Sequence, residues 1–145
     1  MQRAIKGIDL GSLVVAGFVA GWMMYFVDHY FNGLFGLFGM FPGLKNPGWM
    51  IKHHIESIIF AIPFAWPLIY ERLPGSGWLK GIVYGFLWWL LLLLILGLIA
   101  GALGAVPFKQ MAPSSAAGVI TAILLHVIWG FFLGVLYNPP EEVIS

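Results

Sequence analysis

Charged residues are far apart in this chain, and the apolar stretches between them set its elements. Residues 10–27 are uncharged between Asp9 and Asp28, residues 81–108 are uncharged between Lys80 and Lys109, and residues 110–140 hold His126 as their one ionisable side chain. Each run reaches the roughly 17–25 residues that carry a helix through a hydrocarbon core. A fourth stretch is less uniform. Its uncharged part, residues 57–70, is too short to cross alone, and a full-length helix is reached only by counting back through Lys52, His53, His54 and Glu56. Pro63 and Pro67 would kink or interrupt that helix, and a re-entrant half-helix is the alternative. The pattern predicts an all-α membrane protein: a four-transmembrane-helix bundle in one transmembrane domain, residues 1–145, with helices at about 9–30, 48–70, 78–105 and 115–137.

Boundary signals agree with these spans. Asn46 followed by Pro47 reads as an N-cap and first helical residue for the second helix, and Ser114 or Ser115 after Pro113 does the same for the fourth. Pro74-Gly75-Ser76-Gly77 is a short turn. The segment Asn32 to Gly48 mixes Gly33, Gly36, Gly39 and Gly43 with Phe and Leu, too apolar for a solvated loop and too glycine-rich for a good helix, so it is expected to lie in the membrane interface. Lys6-Gly7-Ile8 with Gly11 recurs as Lys80-Gly81-Ile82 with Gly85, and His54 recurs as His126 at an offset of 72. These matches suggest a tandem two-helix repeat with halves at about 1–74 and 75–145, the units packing about a pseudo-twofold axis.

Composition supports the membrane assignment and removes several function classes. Hydrophobic residues make up 61% and charged residues 9%, against about 25% charged in soluble domains. A net charge of +1 without any Lys/Arg run argues against nucleic acid as a partner. The absence of cysteine excludes disulfides, thiolate metal sites and thiol redox chemistry. Arg3 and Lys6 precede the first apolar run with no A-x-A-like cleavage site after it, so the first helix is expected to be retained. Arg3, Lys6, Arg72 and Lys80 on one side outnumber Lys45, Lys52 and Lys109 on the other, which favours both termini in the cytoplasm.

In lipid, helices associate through small residues that let backbones approach. Candidate packing positions are Gly17 and Gly21 in the first helix, with Asp28 on the same face; Gly81, Gly85, Gly97 and Gly101 in the third; and the i+4 row Gly118, Ala122, His126, Gly130 and Gly134 in the fourth. These faces exceed what one bundle needs. They suit lateral docking, with other integral membrane subunits and lipid as the partners.

Two sets of residues carry candidate chemistry. His126, near the middle of its helix, should be neutral and hydrogen-bonded, or an axial ligand to haem or chlorophyll with His54 as a second ligand, although the two differ in depth. Asp28, His29, His53 and Glu56 fall on the same side of the membrane and are weak metal candidates without a standard ligand spacing; Lys52 and Glu56 form an i,i+4 pair. No serine lies in a nucleophile elbow, so no catalytic residue is expected. The glycine-rich first helix, the histidine-headed second helix, the run Gly75 to Gly81 and the row His126, Gly130, Gly134 and Tyr137 resemble a loose group of small four-helix prokaryotic membrane proteins of unknown function. That resemblance implies a fold and a prokaryotic cytoplasmic membrane, but no activity. The expectation is a non-catalytic integral subunit of a larger respiratory or photosynthetic membrane complex, with a haem- or pigment-binding electron-transfer protein and a small transporter or proton relay as alternatives.

Overall fold

The structure, a computed structural model, describes residues 7–103 and 115–140. Its elements are α1 (Leu10–Tyr30), a 3-10 turn (Leu34–Gly36), α2 (Pro47–Ala65), α3 (Pro67–Tyr70), α4 (Gly77–Leu103) and α5 (Ala116–Leu136), with no strand among the described residues. Side chains start the long helices. The Asp9 carboxylate accepts from Ser12 N at 2.9 Å, Asn46 Oδ1 from Trp49 N at 3.0 Å, and Ser115 Oγ from Gly118 N at 3.0 Å. Each satisfies one of the N–H groups that a helix leaves without an internal partner.

The four-crossing bundle expected from the sequence is not what forms. Among the described residues three helices are long and apolar enough to cross a membrane: Leu10–Tyr30, Gly77–Ile95 and Ala116–Leu136. α2 has the length but not the composition, because Lys52, His53, His54 and Glu56 occupy its first half. It also ends early. Trp66 is extended, at φ −66° and ψ 123°, as the residue before a proline tends to be, so the expected helix 48–70 is a helix ending at Ala65 and a separate single turn, α3. Pro63 stays inside the helix and does not end it.

α1 packs antiparallel to both α2 and α5, and α4 packs antiparallel to α5, giving the spatial order α2–α1–α5–α4. The α4–α5 crossing is backbone against backbone. A Cβ on Gly81 would run into the Gly130 carbonyl, and one on Gly85 into the His126 carbonyl. At the α1–α2 crossing, a Cβ on Gly17 would stand 2.9 Å from Ile58 Cα. The core between the helices contains Leu13, Ala16, Ala20, Phe64, Leu125 and Leu133, with Tyr70, Tyr84 and Tyr137 ringed around Phe64.

The tripeptide match Lys6-Gly7-Ile8 and Lys80-Gly81-Ile82 does not mark equivalent places. Gly7 precedes α1 with nothing within 4 Å of its Cβ position, whereas Gly81 is wedged against α5. The glycines that meet a histidine-bearing helix as Gly81 and Gly85 do are Gly17 and Gly21, an offset of 64.

The segment after α1 folds back over the end of the bundle. Asp28, 1% exposed, accepts from Met40 N and Phe41 N at 2.9 Å each, and its own carbonyl accepts from Gly39 N at 3.0 Å. Phe38 N donates to Thr121 Oγ1 at 3.2 Å, tying the segment to α5.

Candidate functional site

The polar first half of α2 faces the other helices, and there the molecule has a cavity of about 110 Å³. His53, Glu56, Ser57 and Phe60 of α2 form one wall; the i, i+3 and i+4 spacing puts them on one helix face. α5 contributes His126 and Trp129, α4 contributes Trp88, α1 contributes Met24, and Phe41 closes the top from the segment that Asp28 holds down.

Hydrogen bonds to carbonyls settle where the imidazole protons sit, because a carbonyl can only accept. His126 Nδ1 donates to the Ala122 carbonyl at 2.7 Å, which leaves Nε2 as a free lone pair in the neutral ring expected among membrane helices. His53 Nε2 donates to the Gly21 carbonyl at 3.0 Å and its ring stacks on Trp49. Burial in this setting pushes the His53 pKa below the ordinary imidazole value, so that ring is neutral at pH 7 and its Nδ1 is likewise an acceptor. Glu56 stands at the rim, its side chain 43% exposed, with Lys52 Nζ 3.6 Å away and still more exposed. Such a pair is worth little to stability, so the carboxylate is available. Below the cavity, Trp129 Nε1 donates to Ser57 Oγ at 2.7 Å, and Ser57 Oγ donates to the Gly17 carbonyl at 2.6 Å. Trp88 Nε1 is buried with no partner among the described residues.

Two expected outcomes follow. Ser57→Ala removes the acceptor of a buried indole N–H and is expected to destabilise the fold by about 1 kcal/mol, read as a lower midpoint of unfolding in detergent. Because the folded pKa of His53 lies below its unfolded value, its contribution to stability is complete above about pH 6.5 and is lost as pH falls through the folded value. Melting temperatures measured between pH 7.5 and 5.5 should therefore fall with acid less steeply in His53→Gln than in the unaltered protein.

The remaining sequence candidates lie elsewhere. His54 is one residue from His53, so it turns to another side of α2, where Phe18 and Trp22 flank it in a groove lined by Met50, Ile51, Ile55 and Ile58. Its Nδ1 donates to the Met50 carbonyl at 2.8 Å, and its buried Nε2 has no partner among the described residues. His54 and His126 thus line separate pockets. The His126 cavity is also smaller than the roughly 300–1,000 Å³ of ordinary cofactor sites. Asp28 serves the backbone of residues 39–41, and His29 is exposed and stacked on Tyr25. With Asp28 and His29 thus engaged, no three His, Asp or Glu side chains among the described residues form a group that could hold a metal ion. Of the expected packing residues, Gly17, Gly21, Gly81, Gly85, Gly130 and Gly134 are at helix crossings and Gly118 and Ala122 are half-buried, while Gly97 and Gly101 lie outside the described side-chain environments.

Sequence reasoning did not find Phe41, Phe60 or Trp129 as part of a site. Trp129 had a signal, since it follows His126 by three residues and so shares its helix face; Phe41 had none, because its position depends on the fold-back at Asp28. No protein-family model, curated protein or solved structure matches the chain.

Proposed function

We propose that this is a non-catalytic integral membrane protein of the small-transporter or solute-binding kind, which takes a small ligand from one side of a prokaryotic cytoplasmic membrane into the cavity between α2, α4 and α5. The observation that carries this reading is the cavity itself: a half-exposed carboxylate at its rim and an imidazole with a free lone pair in its wall, on a chain otherwise apolar. Ionisable groups among membrane helices are costly, and function is the usual reason for them. The serine in the cavity lining, Ser57, has its hydroxyl proton committed to the Gly17 carbonyl, which fits a non-catalytic role.

An accessory subunit would dock through spare small-residue faces. Here Gly17, Gly21, Gly81, Gly85, Gly130 and Gly134 are occupied inside the chain, and the outer face of α4 presents Phe86, Leu87, Leu90, Leu91 and Leu94 instead. Large flexible side chains of that kind suit lipid.

The chain has no cysteine, so single cysteines can report access. His126→Cys is expected to react with a small, membrane-impermeant thiosulfonate applied from the side that also labels Glu56→Cys, and not from the other. A His126→Cys protein that stays unreactive under conditions where Glu56→Cys reacts normally would overturn the reading.

A further inference from the structure

The acceptors and rings of this cavity select a class of ligand. We propose that it takes a small ammonium ion, a protonated or methylated amine; this rests on reading the cavity as a solute site. Four of its lining residues, Phe41, Phe60, Trp88 and Trp129, are aromatic. Aromatic faces carry the negative side of a quadrupole and attract cations, most strongly where water is excluded. The charged residue in the lining is Glu56, a carboxylate. His126 has spent its N–H on a backbone carbonyl and offers a lone pair.

Every one of these features favours a cation. An anion would meet Glu56 and an imidazole lone pair, with the Trp88 indole as the one unengaged N–H in the wall among the described residues. An uncharged apolar molecule would gain the rings but leave the imidazole nitrogen unsatisfied. Size narrows the class further. The cavity, about 110 Å³, lies below the roughly 300–1,000 Å³ of sites for drug-sized ligands, so the ion it takes is a small one.

Lys52 acts as an internal competitor. Its ammonium reaches the Glu56 carboxylate from outside, at 3.6 Å, and is 68% exposed. A cation entering the cavity shares or displaces that partner. Removing Lys52 should therefore strengthen ligand binding while removing Glu56 weakens it, an opposition that a merely structural ion pair would not produce.

The test is calorimetric titration of the full-length protein in detergent micelles with trimethylammonium, tert-butanol as an uncharged molecule of similar size, and acetate. Saturable trimethylammonium binding is expected, at least tenfold weaker in Glu56→Gln and two- to fivefold tighter in Lys52→Gln, with tert-butanol and acetate both weaker. Both variants alter a half-exposed or exposed side chain, and unchanged melting temperatures confirm that they fold. Equal binding of tert-butanol, preference for acetate, or an unchanged affinity in Glu56→Gln overturns the cation assignment and leaves the solute-site reading standing. If none of the three binds, the cation assignment falls, and labelling at His126→Cys decides separately whether the solute-site reading falls with it.

Discussion

Gly81→Leu is expected to abolish stable packing of α4 against α5. A side chain at this position meets no movable neighbour: its Cβ would run into the Gly130 carbonyl and stand 2.8 Å from both Gly134 Cα and Gly134 N. Backbone atoms cannot rotate away as a rotamer can, so the helices must separate. Separation also opens the contacts at Gly77 and Gly85, which meet the same stretch of α5. Overpacking a single core site costs about 1–3 kcal/mol; here several contacts are lost together, and a loss of more than about 3 kcal/mol is expected. Unfolding in a denaturing detergent series measures it. The control is Leu91→Ala on the outer face of α4, which is expected to be near neutral because that side chain is 44% exposed. A Gly81→Leu protein as stable as the parent would mean that α4 and α5 do not cross here.

Asp28→Ala is expected to have the second-largest effect, about 2–5 kcal/mol, and to reach the cavity as well as the fold. The carboxylate, 1% exposed, accepts two backbone N–H groups, and each donor left unpaired costs about 1–3 kcal/mol. The released segment carries Phe41, so the cavity should lose one wall. Protection of the Met40 and Phe41 amides from hydrogen exchange should collapse, while amides in the middle of α5 stay protected. Asp28→Asn keeps one acceptor and is expected to fall between the two. Unchanged protection at Met40 and Phe41 in Asp28→Ala would show that the carboxylate does not hold the segment.

Much of the scaffold was legible because it is written in local spacing. The i+4 row of small residues on α5 marked a face that meets another helix, which is α4, and Asn46-Pro47 and the pair Ser114 and Ser115 marked two helix starts, since both signals act within a turn of chain. The count of crossings was less legible. The polar first half of α2 was visible, but whether a helix with Lys52 and Glu56 in it counts as a crossing depends on total apolarity, and whether Pro67 bends or ends it depends on what Trp66 does. The site was read only in fragments. His53 and His54 are neighbours in sequence, yet about 100° of helical rotation separates them, so one lines the cavity and the other a different groove. His54 and His126 hold matching repeat positions, yet they line different pockets. The aromatic walls come from three helices and a fold-back segment, and their convergence is a tertiary fact that no local pattern contains.

The spatial order α2–α1–α5–α4 has a consequence for how the molecule is made. The crossings at which a glycine lets backbones approach, α1 with α2 and α4 with α5, each join helices that follow one another in the chain. Each pair can therefore close as soon as its two helices have been made, whereas the contacts between halves, such as Trp129 with Ser57 and Tyr137 with the Ala65 carbonyl, span 72 residues and are expected to form later. Biogenesis then resembles the docking of two preassembled pieces. A chain cut in the turn at Ser76 and expressed as two polypeptides should still recover the native assembly in the membrane.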